Sequence, residues 1–305
     1  MDSTANGFYQ TAVEDRDDRS TTRTARVAIV TGLRKGQSYL YWRGDRLYQL
    51  PVSYWKGIGW INSPGYRDGS VNFDRPILPR CLECHATAMR PVSDTGVANR
   101  YRPASARLGI SCETCHGSGR SHVLRERSPL RVVSTRIIPP GIVNPAHLSR
   151  ARRLDNCALC HAGLGTLRSA AFSYVPGTRL EKHLDIPLPT LEDRIDVHGN
   201  QLELLERSAC FLKSGMTCTT CHDPHQEQRD PVSLSGRCLT CHTPQSCGLH
   251  ARRGDVIVGH CVDCHMPVLT SQTIVSNHDG GEEHPQVRSH WIRVYQESLE
   301  RGVQR

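Results

Sequence analysis

The sequence predicts short helices and irregular coil with one small N-terminal sheet, folded around something other than a conventional side-chain core. Three observations carry this expectation. Fourteen Cys and sixteen His occur among 305 residues. Only 6% of residues are aromatic and 37% are hydrophobic, a thin supply for one large domain or two. The cysteines are clustered, and the clusters begin at the uneven positions 81, 112, 157, 218, 238 and 261, which argues against a solenoid. No stretch approaches 18 consecutive apolar residues, so no membrane-spanning helix is expected. Charged residues make up 22% and are mixed in sign, which argues against wholesale disorder.

Twelve of the cysteines form one pattern, Cys-x-x-Cys-His, repeated six times. The copies are Cys81-Leu-Glu-Cys84-His85, Cys112-Glu-Thr-Cys115-His116, Cys157-Ala-Leu-Cys160-His161, Cys218-Thr-Thr-Cys221-His222, Cys238-Leu-Thr-Cys241-His242 and Cys261-Val-Asp-Cys264-His265. Chance placement at this composition gives about 0.03 copies of a pattern read as c-type haem attachment. Two thiols three residues apart lie on one side of a helical turn, where they can add to the two vinyl groups of one porphyrin. The adjoining His then reaches the iron as proximal ligand. Zinc ribbons need two Cys pairs per metal and no adjoining His. Iron–sulfur clusters need four thiolates. A thioredoxin-like pair would occur once. The fold class is therefore mainly α and irregular coil packed around six covalent c-type haems, with a small N-terminal β-hairpin or sheet.

Element by element, residues 1–24 read as an extended polar arm (Glu14-Asp-Arg-Asp-Asp-Arg19). Residues 25–80 read as a small β-rich segment without haem ligands. Ala25–Val30 is one strand, and Ser38–Trp42 and Leu47–Val52 flank the turn at Arg43-Gly-Asp45. Its Trp42, Tyr54, Trp55 and Trp60 either cover the first haem or form a β-core. Residues 81–295 form the hexahaem domain, with a helix over 200–207. The last three motifs occupy only residues 218–265, leaving room for short helices and loops. The Pro- and Gly-bearing runs 139–145 and 175–189 should be bridged into the same body. Residues 296–305 are a tail.

The formal charge of +8 includes 34 Arg against 4 Lys. Twelve propionates and six ferric cores would bring the oxidised holoprotein to about +2 and the reduced one to about −4, so the basic excess offsets propionates rather than nucleic acid. Covalent haem attachment takes place on exported chains, so the expected compartment is periplasmic or extracellular. The chain opens Met-Asp-Ser-Thr-Ala-Asn-Gly without an apolar signal core, and the export signal is expected to be missing from this sequence. Two cysteines remain, Cys210 and Cys247, and in an oxidising compartment they are expected to pair as a disulfide.

Six proximal His leave ten for the opposite iron faces. Met is scarce: Met1 is terminal, Met266 adjoins a proximal His, and Met89 and Met216 are weak candidates. Bis-His ligation should dominate. A His a few residues after its own motif cannot easily reach the opposite face of that haem. His122 and His225 therefore fit neighbouring haems better than their own. His250, His260 and His278 compete for the remaining positions, and His147, His183 and His284 read as surface or edge residues.

The runs Cys112–His122, His198-Gly-Asn-Gln201, Ser214–His225 and Cys261–Pro267 resemble a group of bacterial multihaem cytochromes c. That group is related to the nitrifier tetrahaem cytochrome and, more distantly, to the octahaem hydroxylamine oxidoreductases; some members continue into tetratricopeptide repeats. The likeness covers about residues 25–295. It implies electron transfer and favours His122, His198, His225 and His290 as distal ligands. No motif here ends in Lys, unlike the nitrite-reducing relatives, and nothing calls for a porphyrin–Tyr cross-link. The resulting expectation is an electron carrier without a substrate site, working between a donor and an acceptor redox protein or within a membrane-attached or filamentous cytochrome complex. The alternative is an oxidoreductase with one five-coordinate haem acting on a small nitrogen or sulfur species.

Overall fold

A computed structural model describes residues 1–296 apart from 17–18, 33–34, 68, 70–71, 93–98, 128–140, 187–194 and 279. It corrects the expected fold class. The described chain is 31% helical and 27% strand, with several sheets and a half-barrel, and so is not mainly α.

The strands concentrate at the N-terminus. They are β1 (Asp2–Thr4), β2 (Gly7–Arg16), β3 (Arg19–Arg26), β4 (Ile29–Thr31), β5 (Gly36–Arg43), β6 (Arg46–Gln49), β7 (Val52–Trp55), β8 (Gly59–Asn62) and β9 (Arg75–Pro76). The stretch expected as an extended arm instead pairs as an antiparallel sheet β1-β2-β3, with Gln10 opposite Ala25. Only its base is anchored. The buried Gln10 amide donates to the Val52 carbonyl at 2.7 Å and accepts from the Val52 N–H at 3.1 Å, acting as one more rung of backbone pairing. The remaining strands form a second sheet in the order β8-β7-β5-β6-β9, with β4 added to β5. The anticipated hairpin is there: Trp42 faces Leu47 across a turn in which Gly44 takes a φ of 63°.

Strand β5 is buried on both faces, because alternate residues point to opposite sides. Tyr39 and Tyr41 pack with Ala25, Tyr48, Leu50 and Phe73. Leu40 packs with Ile29, Leu47, Leu82, Met89 and Tyr101, and Trp42 lies against this group. Leu82 lies inside the first Cys-x-x-Cys-His motif, so the sheet is the floor on which that motif sits. Of the four aromatic residues left open by the sequence, Trp42 meets Tyr101 edge-on at 6.3 Å, and Tyr54 and Trp60 meet each other at 5.3 Å on the exposed side. Met89 is fully buried in the apolar core, away from any ligand role.

Beyond the sheet the described residues form ten short α-helices, interspersed with short paired strands: α1 (Pro79–Glu83), α2 (Cys112–His116), α3 (Arg120–Arg127), α4 (Arg150–His161), α5 (Gln201–Glu206), α6 (Ala209–Leu212), α7 (Cys218–Cys221), α8 (Pro231–Cys238), α9 (His250–Arg253) and α10 (Cys261–His265). The helix expected over 200–207 is α5. Local capping explains how such short pieces hold. Asp230 accepts from the Val232 and Ser233 N–H groups ahead of Pro231, and Thr217 and Thr220 form a capping box on α7. Two further clusters knit these helices. Ala158, Leu159, Ala162, Leu180 and Leu184 surround the third motif, and Leu154, Leu205 and Phe211 join α4, α5 and α6. Residues 187–189 and 297–305 of the regions read from sequence lie outside the described residues.

Leu47 is fully buried between the sheet and Leu82. Leu47→Ala is expected to destabilise the protein by about 2–5 kcal/mol, the usual range for a truncated core leucine. Denaturant unfolding followed by circular dichroism checks this; a midpoint equal to the parent's would contradict the buttress.

Candidate metal centres

Each motif sits on a helix or at a helix end. Motifs two and six are whole helices, α2 and α10; the third closes α4, the fourth is α7 plus one residue, and the first and fifth run off the ends of α1 and α8. The helical turn continues through the His: the N–H groups of His222 and His242 each donate to the carbonyl of the first Cys of their motif at 2.9 Å. Thiols at i and i+3 therefore share one face, as the attachment chemistry requires.

The motifs also lie against one another. The thiols of Cys84 and Cys160, of Cys157 and Cys218, and of Cys238 and Cys261 are close enough to shift one another's titration. The first contact is reciprocal. Cys84 Sγ approaches the Leu159 carbonyl and Cys160 Sγ the Glu83 carbonyl, both at 3.9 Å. Cys115 also acts electrostatically on Cys157, and Cys241 on Cys221. Burial pushes the Cys115, Cys221 and Cys264 thiols up.

A polar network that sequence reasoning missed holds the first motif to the third. Arg80, one residue ahead of Cys81, donates to the Leu159 carbonyl at 2.7 Å, to the Gly163 carbonyl at 3.2 Å and to the Leu164 carbonyl. It also pairs with Glu83 at 3.4 Å, where both side chains are at most 10% exposed. Glu83 accepts from the Phe172 N–H at 2.6 Å and meets His183 Nε2 at 2.9 Å, while His183 Nδ1 meets Ser169 Oγ at 2.6 Å. His183, read from sequence as a surface or edge residue, is therefore buried with both ring nitrogens engaged. Nothing in the sequence singles out Arg80 among 34 arginines.

The histidines sort by geometry. His116 and His225 have near-parallel rings with centroids 6.1 Å apart; His222 and His290 have theirs 6.0 Å apart. A metal–imidazole bond is about 2.0–2.1 Å and the ring nitrogen lies about 1.1 Å from the centroid, so two imidazoles on opposite sides of one ion sit about 6 Å apart. His198 is close enough to His85 to hold it below its usual pKa, after burial, the larger cause. Burial also lowers His161, His198 and His222, and takes His290 down to about 4 with help from His222. All are thus neutral at pH 7, the form that binds a metal.

Orientation comes from the backbone. His116 Nδ1 donates to the Val143 carbonyl at 2.8 Å and His265 Nδ1 to the Arg293 carbonyl at 3.0 Å, which leaves the Nε2 lone pair available to a metal. Asp223 Oδ1 lies 3.3 Å from His225 Nδ1. The loop carrying His198 is pinned at Gly199, whose carbonyl accepts from the Gly163 N–H at 2.9 Å. A side chain at Gly163 would strike Asn200, so the close approach depends on that glycine.

Of the other candidates, His250 Nε2 is engaged by Asp255 at 3.0 Å, and His278 is engaged by Gly280 and Glu283 within its own hairpin. His260 bonds Asp263 through Nδ1 at 3.1 Å, and His122 Nδ1 lies 3.5 Å from Arg125. Among the described residues none of these four rings stacks on a proximal one. His284, dismissed from sequence, donates from Nδ1 to the Ser271 carbonyl at 2.8 Å, the posture of His116 and His265. The structure shows no bridge between Cys210 and Cys247. Cys210 acts instead on Cys221 and Cys238, and Cys247 on Cys261 and Cys264.

Among the described residues no three His, Cys, Asp or Glu side chains converge to hold an ion by themselves. Haem iron needs only two from the protein. Paired thiols on one helical face, neutral imidazoles and two ring pairs at the one-ion spacing fit that group.

Residues 66–117, which carry the first two motifs, match the family of cytochrome c554 and c-prime. No curated protein and no solved structure matches the chain. The match supports a c-type cytochrome with covalently bound haem, and with it electron transfer to and from redox partners. No described helix is long and apolar enough to cross a membrane.

Arg80→Met is expected to cost about 3–5 kcal/mol, because it leaves the Glu83 carboxylate buried beside His183 without its cation. Guanidinium unfolding reads the loss. An unchanged midpoint would mean the ion pair does not hold the two motifs together.

Proposed function

We propose that the chain is a hexahaem cytochrome c that moves electrons between a donor and an acceptor redox protein in the periplasm or outside the cell. The six attachment sites are Cys81/Cys84, Cys112/Cys115, Cys157/Cys160, Cys218/Cys221, Cys238/Cys241 and Cys261/Cys264, with His85, His116, His161, His222, His242 and His265 as proximal ligands. The observation that carries the reading is the two imidazole couples, His116 with His225 and His222 with His290, whose centroids lie at the spacing of two ligands on one iron. His198 acts electrostatically on His85, which supports it as the partner of that ring. When bound, haem supplies a one-electron ferric–ferrous couple, and an iron held by two imidazoles offers no position to a substrate.

The chain's own work is attachment, orientation and spacing. Mutual thiol shifts between motifs one and three, three and four, and five and six, with smaller electrostatic effects linking two to three and four to five, support a connected series of attachment points. The Arg80–Glu83–His183 network fixes the first step of that series, and the backbone carbonyls of Val143 and Arg293 fix ring orientation at two sites.

Electron paramagnetic resonance of the oxidised protein tests this. His225→Gly and His290→Gly are each expected to convert about one haem in six from low-spin to high-spin, with added imidazole restoring it. Wild-type spectra in either variant would overturn the ligand assignment. A wild-type protein with a high-spin fraction that binds nitrite or carbon monoxide would instead mark an enzyme with an open iron.

A further inference from the structure

We propose that residues 288–295 form a strap that positions two imidazoles belonging to different sites, His290 against His222 and His265 in the last motif, with Arg288 and Ser208 as its positioning residues. The inference rests on the reading that His222 and His290 share an iron, and goes beyond it by assigning how the ring is held and what else moves with it.

The strap is fastened at both ends by hydrogen bonds, several of them partly buried. Arg288 donates from one guanidinium nitrogen to the Val262 and Met266 carbonyls, both at 2.7 Å, and from another to Asp263 Oδ1 at 2.9 Å. Those three acceptors belong to, or directly follow, α10, whose last residue is His265. Arginine suits this place because its planar fork can satisfy three acceptors that lysine could reach only in part. The Ser289 N–H donates to the Pro267 carbonyl at 2.9 Å, and residues 286–288 pair antiparallel with 268–270.

The middle of the strap is held from the other side. Ser208 is fully buried between α5 and α6. Its hydroxyl donates to the His290 carbonyl at 3.1 Å and accepts from the Ile292 N–H at 2.7 Å. One side chain thus clamps the backbone on both sides of Trp291 and sets the direction in which His290 leaves it. Three residues on, the Arg293 N–H donates to the His265 carbonyl at 3.3 Å and the Arg293 carbonyl accepts from His265 Nδ1 at 3.0 Å. The Arg293 guanidinium lies over Trp291 at 3.9 Å and Tyr295 at 4.6 Å, which stiffens the segment between the two contacts. A displacement of the strap therefore alters His290 and His265 together.

The test uses full-length holoprotein and electron paramagnetic resonance with redox titration. Ser208→Ala is expected to perturb two low-spin signals of the six together, one of them the signal that His290→Gly abolishes. Arg288→Gln is expected to perturb that signal and one more, shift both midpoint potentials, and admit carbon monoxide to about one haem in six. Arg288→Lys should fall between. Where Arg288→Gln does not assemble, Arg288→Lys carries the comparison. Four of six signals unchanged and two altered together supports the strap; all six unchanged, or all six altered in concert, overturns it. If His290→Gly itself yields no high-spin iron, the shared-iron reading fails. If that variant responds but Ser208→Ala and the Arg288 variants do not, only the strap fails.

Discussion

Two thiols and an imidazole placed on a single turn of helix make the demand from which the rest of this architecture follows. The turn must be helical at positions as different as the end of the twelve-residue α4 and the whole of the four-residue α7. Helices that short are not stable alone. Each is held by something local: a cap at Asp230 or Thr217, an apolar anchor such as Leu82 or Leu159, or a neighbouring motif. With 6% aromatic residues the chain has few side chains to spare for the purpose. Contacts between motifs therefore replace much of an ordinary core, and those same contacts put the attachment points next to one another.

The N-terminal sheet answers the same demand differently. It contributes to two of the apolar clusters of the described residues and presents the Leu40 and Leu47 face to Leu82. The first motif rests on that floor from one side and is clamped by Arg80 to the third from the other. Burying Arg80 and Glu83 is costly unless each finds partners. Here the carbonyls of residues 159, 163 and 164, the Phe172 N–H and His183 provide them. Rigidity at that junction follows from complete pairing.

What could be read from the sequence was whatever depends on local spacing. The six motifs, the hairpin turning at Gly44 and the helix at 201–206 all fall there. The strands of residues 1–26 did not, because β2 and β3 are polar on both faces over most of their length, and a strand with no apolar side gives no alternation to detect. Their docking combines the buried Gln10 amide, forty-two residues from its partner, with Ala25 and Ala12 packed into the cluster of Tyr39 and Tyr41. The ligand pairs divide in the same way. His198, His225 and His290 were favoured by resemblance and stand beside proximal rings, whereas His122 does not stack on one. His183 was read as a surface or edge residue because its partner Glu83, a hundred residues away, carries no sequence signature, whereas His284 is partly exposed as an edge residue would be.

The central claim is that twelve of these cysteines are attachment points rather than free thiols in the mature protein. Intact-mass measurement of the chain purified from a host that matures c-type cytochromes is the most direct test. The account predicts the 34.1 kDa polypeptide plus six haems, with the mass retained under denaturing conditions and reductant. A mass equal to the bare polypeptide, or haem lost on denaturation, would contradict it.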